Sequence, residues 1–230
     1  MAMIMKRRWS WMHRVIATVV VGAAAVALTT SSSRAAIVYT DPVDITLPWA
    51  PFLPQPQPVP IDLDVNGDPE FSLTWEGLGG LGYGWFAYLQ STALHPDARI
   101  LSYGPPYPGA SFAYATGFET GETVGPSAND TPYAWLGEFF WYDEPPYGLF
   151  YNGDWADPNR VRILSAGLSF AMNGQQHFGW VRIAMDTGGI TLMDWAYEST
   201  PGVSIPAGVP APACLPALAL GALAASRRRR

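Results

Sequence analysis

Cysteine is almost missing from this 230-residue chain. The single Cys214 has no partner for an intramolecular disulfide, so packing or bound ions must hold the fold. Lysine is as scarce, with Lys6 alone, and nine of the 13 basic residues lie at the two ends: Lys6, Arg7, Arg8, Arg14, Arg34 and Arg227 to Arg230. Between them only Arg99, Arg160, Arg162 and Arg182 stand against all 19 acidic residues, a net charge of −15. Such a body is repelled by phosphate backbones and anionic membranes, which excludes nucleic acid and favours divalent cations or neutral glycans as partners. Only His95 and His177 serve the body, too few for a zinc site without thiolates. A nucleophile elbow is missing as well, because Gly109-Ala110-Ser111 and Gly167-Leu168-Ser169 both fail at the final glycine. Outside the ends no segment sustains a 3.6-residue period, so an all-α fold is excluded.

What is abundant points the other way. The chain holds 23 glycines, 22 prolines, ten tryptophans, 11 tyrosines and ten phenylalanines, a composition suited to short strands joined by tight turns. Alternation predicts strands over 37–39, 43–47, 59–65, 71–75, 83–89, 99–102, 111–114, 134–142, 161–164, 167–172, 178–185 and 190–197. Pro48 to Pro60, with six prolines, reads as a stiff extended connector. Asn66-Gly67 is a two-residue turn signal that closes a hairpin between 59–65 and 71–75. The expected fold is an all-β, antiparallel, jelly-roll-like β-sandwich over 36–208, with a helix at the N-terminal leader and a short apolar helix at the C-terminus.

The ends read as addresses. Lys6, Arg7, Arg8 and Arg14 precede the apolar run Val15 to Leu28, and Ser33-Arg34-Ala35 sets small side chains where a signal peptidase reads them. Residues 1–35 are therefore expected to be a signal peptide cut after Ala35; an uncleaved anchor is the alternative. At the other end Val209-Pro210-Ala211-Pro212 leads into the apolar run Ala213 to Ala225 and then Ser226 and four arginines. The arginines would stay on the cytoplasmic side while the short run pauses in the bilayer.

This three-part tail, 209–230, resembles the PEP-CTERM sorting signal of exported bacterial proteins, with Ala211 where that family carries glutamate. The resemblance implies an exosortase-like processing protease acting at Val209, Pro210, Ala211 and Pro212, with Arg227, Arg228, Arg229 and Arg230 as the retention end. An ordinary C-terminal anchor is the plainer alternative. Phe178-Gly179-Trp180-Val181-Arg182 followed by Asp194-Trp195-Ala196-Tyr197-Glu198 is also similar to the closing strands of many PEP-CTERM body domains. A bridge from Arg182 to Asp194 or Glu198 is expected there. Cys214 is an unusual feature of the tail, open to lipid or thiol attachment.

Candidate chemistry in the body is sparse. Asp62, Asp64, Asn66 and Asp68 place oxygens on alternate positions around Gly67, the front half of a calcium loop, although Leu73 stands where an EF-hand needs its acidic twelfth residue. Gly77-Leu78-Gly79-Gly80-Leu81-Gly82 matches a dinucleotide fingerprint by letters only, because a strand follows it. Trp85, Trp135, Trp141 and Trp155, with Tyr147, are candidates for stacking on sugar rings. Glu138, Asp143 and Glu144 are the carboxylates a glycan hydrolase would draw on. The reading is an exported, non-enzymatic cell-surface or extracellular-matrix protein, in transient membrane contact through its termini. A carbohydrate-binding module for extracellular polysaccharide and a glycan-cleaving enzyme are the alternatives.

Overall fold

The computed structural model describes residues 36–42, 44–49, 56–78, 82–103, 113–142 and 149–210. The leader and the tail from Ala211 onward lie outside the described residues, and so do Tyr147, Asp143 and Glu144. Among the described residues there are sixteen strands and no helix, hence none long and apolar enough to cross a membrane.

The first sheet is built on a meander of β13 (Arg162–Met172), β14 (Gln175–Asp186) and β15 (Gly189–Glu198). Asn173 and Gly174, both at positive φ, make the tight turn between the first two. Two short early strands, β1 (Ile37–Thr40) and β2 (Ile45–Pro48), pair in tandem with the far side of β15. On the other side β6 (Arg99–Leu101) and β8 (Gly117–Phe118) pair with β13, and β10 (Asp130–Thr131) extends the sheet beyond β6.

The second sheet runs β12 (Leu149–Asn152), β11 (Tyr133–Tyr142), β5 (Gly82–Ser91), β4 (Phe71–Leu78), β3 (Val59–Ile61), all antiparallel. A two-residue strand, β7 (Ala113–Tyr114), lies parallel to β11. A small third ladder joins β9 (Thr123–Val124) to β16 (Ile205–Pro206).

Strand alternation builds the core. Leu73 and Trp75 on β4, Trp85, Ala87 and Leu89 on β5, and Phe139 on β11 share one buried cluster with Leu164, Leu168 and Phe170 on β13 and Val181, Ile183 and Met185 on β14. The C-terminal half of β14 alternates buried and half-buried as a one-sided strand should, but His177 to Val181 are buried on both faces. The reason is a second cluster, in which Phe178, Trp180 and Ala196 meet Leu101, Val124, Ile205 and Ala207.

Two expected strands are corrected. The break predicted at 165–166 does not occur, and β13 runs unbroken through Ser165 and Ala166, both buried. The predicted hairpin at Asn66-Gly67 opens wider than two residues, because the ladder stops at Ile61 opposite Phe71 and leaves 62–70 as a nine-residue loop. The Gly77–Gly82 segment joins β4 to β5, which pair antiparallel, so no strand-to-helix dinucleotide geometry forms there.

Candidate functional site

The loop between β3 and β4 is organised by carboxylates facing its own backbone. Asp62 accepts the N–H groups of Asn66 (Oδ1, 3.2 Å) and Gly67 (Oδ2, 2.7 Å), and Asp64 Oδ1 accepts the same Asn66 N–H at 3.2 Å. Asn66 Nδ2 donates to Asp64 Oδ2 at 3.0 Å, while its Oδ1 accepts from Asp68 N–H at 2.7 Å. Closing the loop this way puts Val65 at φ 58 and Gly67 at φ 97. Glycine adopts that backbone freely, whereas a β-branched valine does so only under strain.

Of the four predicted calcium ligands, two come together. Asp62 and Asp64 each bring a carboxylate oxygen within 4.8 Å of the other and of Glu70. Asn66 and Asp68 instead commit a side-chain oxygen and a backbone N–H to the turn. Glu70 was not foreseen, although its place two residues beyond Asp68 keeps the alternation. It is 1% exposed, and its Oε2 accepts the Leu63 N–H at 2.8 Å. Burial raises its pKa above the ordinary glutamate value, with the Leu63 N–H acting in the opposite direction. Three oxygens of this kind in a polar loop are hard ligands, the sort that calcium takes.

The tryptophans separate by face. Trp85 and Trp155 are completely buried, and Trp155 Nε1 donates to the Ile183 carbonyl at 3.1 Å. Their rings belong to the core and cannot stack on a sugar, which corrects the expectation for both. Trp141 packs against the same core and stacks on Trp49 at 5.3 Å.

Trp135 is different. The ladder between β11 and β5 slips at Leu136, so Trp135 lies opposite Tyr88 and Glu138 opposite Phe86. This bulge lets residues three apart share the face away from the core. Trp135 stacks on Phe86 at 4.1 Å, Tyr88 meets Tyr133 at 4.8 Å, and Tyr114 meets the Trp135 edge at 6.1 Å. Tyr103 lies flat on Tyr114 and is 45% exposed. Glu138 Oε1 accepts from Tyr114 OH at 2.9 Å and from Asn152 Nδ2 at 2.6 Å. Burial pushes the Tyr133 pKa up to about 12. The strip is an outer aromatic layer, packed ring on ring, with a carboxylate held at its margin. Phe86, Tyr88, Tyr114 and Tyr133 were missed because only the bulge reveals which parity of β11 faces outward.

Arg182, Asp194, Tyr39 and His177 hold strands to one another. Arg182 grips Asp194 with two guanidinium nitrogens, Nε to Oδ1 at 2.9 Å and Nη2 to Oδ2, and Tyr39 OH donates to the same Oδ2 at 2.6 Å. Of the two expected partners Arg182 thus takes Asp194. The arrangement ties β1, β14 and β15 together, and burial with the adjacent Asp194 carboxylate pushes the Tyr39 pKa up to about 12. His177 is buried with Nδ1 2.9 Å from the Glu198 carbonyl, so that nitrogen carries the proton. A groove of about 310 Å³ at the end of the first sheet, lined by Thr46, Val161, Asp186 and Thr191 among others, has Asp186 as its acid. That carboxylate already accepts the Gly188 N–H at 2.7 Å. No known protein family matches this chain, and neither a curated protein nor a solved structure matches it.

Proposed function

We propose that this chain is an exported, non-enzymatic surface or extracellular-matrix protein, whose acidic β-body is delivered by a cleavable leader and released through a PEP-CTERM-like tail. The observation that carries the reading is the segregation of charge: nine basic residues in two terminal segments around apolar runs, and a body at −15 between them. The body is read as a β-sandwich. Support comes from side chains of both sheets meeting in one cluster, and from the connection of β5 to β6, which changes sheet. Jelly-roll-like describes such crossovers; the β13–β14–β15 meander departs from a strict jelly roll. Helical leader and tail segments complete the reading. Its partners are signal peptidase, an exosortase-like protease and the membrane, the last only before processing.

Replacing Arg227 to Arg230 with alanine tests the sorting role. The variant is expected to lose its cell-surface form and appear unprocessed or misdirected, read by fractionation and immunoblot. Unchanged surface delivery would contradict it.

A second reading, a module for neutral extracellular polysaccharide, is supported by Trp135 and its ring neighbours beside Glu138 and Asn152. Affinity electrophoresis in neutral glycans is expected to show retardation that Trp135→Ala reduces about tenfold, equivalent to about 1.4 kcal/mol of lost ring stacking. Migration that no glycan alters would remove this reading.

A further inference from the structure

Ala36, the first described residue, is fixed at both backbone ends. Its N–H donates to Glu198 Oε1 at 3.1 Å, and its carbonyl accepts the Ser199 N–H at 3.0 Å. The same Oε1 also accepts the Thr200 N–H at 2.8 Å. Glu198 is 3% exposed, and among the described residues it has no ion-pair partner. Two backbone N–H groups thus converge on one oxygen of a buried carboxylate, as charge-assisted hydrogen bonds do. One of these donors, the Ala36 nitrogen, is the atom that a cut after Ala35 turns into a cation.

We propose that Glu198 is the receptor for the α-ammonium group created at Ala36 when the leader is removed. This rests on the reading that cleavage follows Ala35. Water adds to the Ala35 carbonyl carbon, the Ala35–Ala36 C–N bond breaks, Ala35 keeps a carboxylate, and the Ala36 nitrogen leaves as an amine that takes a proton. The donor at 3.1 Å from Glu198 thereby changes from amide to ammonium without β1 having to move. Processing thus installs an ion pair that fastens β1 to the end of β15, and the unprocessed chain lacks it.

The groups facing this point are His177 from β14, Tyr197 beside Glu198 on β15, and, further along the ladder, Tyr39 from β1 with Asp194 and Arg182. An ammonium paired with a carboxylate has its pKa raised above the ordinary α-amino value of about 8. Its stabilisation is full below that value and is lost as pH rises through the raised one. The tyrosines titrate higher, with Tyr39 pushed up to about 12 and Tyr197 also raised.

The test uses the missing lysine. Lys6 departs with the leader, so the Ala36 amine is the sole primary amine of the processed chain. Exported protein is purified, its N-terminus fixed by intact mass, and its acylation by an amine-reactive ester at pH 8 timed in the native state and in denaturant. Glutamine keeps the shape of glutamate, so the Glu198→Gln variant separates pairing from lack of access to the nitrogen. Acylation is expected to be about tenfold slower in the native protein, because the paired ammonium gives up its proton that much less readily. Glu198→Gln is expected to restore the denatured rate. Should that variant not fold, the melting temperature of unmodified protein, followed from pH 8 to 10, is expected to fall where the acylated protein's stays level. Equal native and denatured rates on a chain beginning at Ala36 would overturn the pair but leave the processing reading intact. A different N-terminus would overturn both.

Discussion

Val65 stands in the left-handed region at φ 58 and is 67% exposed, so it has strain and little packing to offset it. Val65→Asn is expected to stabilise the protein by about 1 kcal/mol, because asparagine tolerates this backbone. Urea unfolding checks it; a loss of stability would mean the loop backbone is not left-handed there. Single residues were unevenly legible. The Arg182–Asp194 bridge could be read from two strands with opposite charges. Trp85 could not be told from Trp135, because the two lie on different strands whose inward parity depends on a bulge. Buried tryptophan is also not always hydrogen-bonded here: among the described residues, the Nε1 groups of Trp85 and Trp180 are buried without a partner, so burial of the ring outweighed satisfaction of its donor.

At the scale of elements the loop 62–70 is the most informative. Its letters suggest a two-residue hairpin turn, and the carboxylates win instead, by taking the backbone N–H groups that a ladder would have used. Glu70 sets a pH dependence with a definite sign. Its folded pKa is raised by burial, so the folded state holds this proton more tightly than the unfolded one. The contribution is full below an unfolded value of about 4.3 and is lost as pH rises through the raised folded value. Glu70→Gln is therefore expected to flatten the melting temperature against pH in that mildly acidic window. Millimolar calcium at pH 7 is expected to raise the melting temperature of the native protein, and Glu70→Gln or Asp64→Asn to cancel the rise. A melting temperature indifferent to calcium would leave the loop as a self-bonded turn.

Other elements escaped the sequence for plain reasons. Strands of two residues, such as β8, β9, β10 and β16, have no period to detect. In β13, Ser165-Ala166-Gly167 resembles a break by composition alone. Gly167 is there for room: a Cβ would come within 2.8 Å of Phe118 and 3.1 Å of Leu101 and Val124, the residues of the second cluster. Small residues in that strand make space for packing and do not end it.

For the whole molecule, an all-β body was legible because glycine, proline and aromatic content leave few other solutions. Strand order was not, since pairing β1 with β15 joins residues 37 and 198 through contacts no local pattern encodes. That pairing has a consequence for the order in which the body is assembled. The body's first strand can take its place only after β15 has been made, so the N-terminal boundary is held by the end of the domain. On the proposed reading, a leader, an acidic domain and a basic tail form one design, in which two removable addresses flank a body that an anionic membrane surface would repel. The most direct measurement is the intact mass of protein recovered from the cell surface and medium of its native host. A chain lacking residues 1–35 and everything beyond about Pro212 is the expected result. A chain that keeps Arg227 to Arg230 would make the tail a plain anchor, and the sorting account would be wrong.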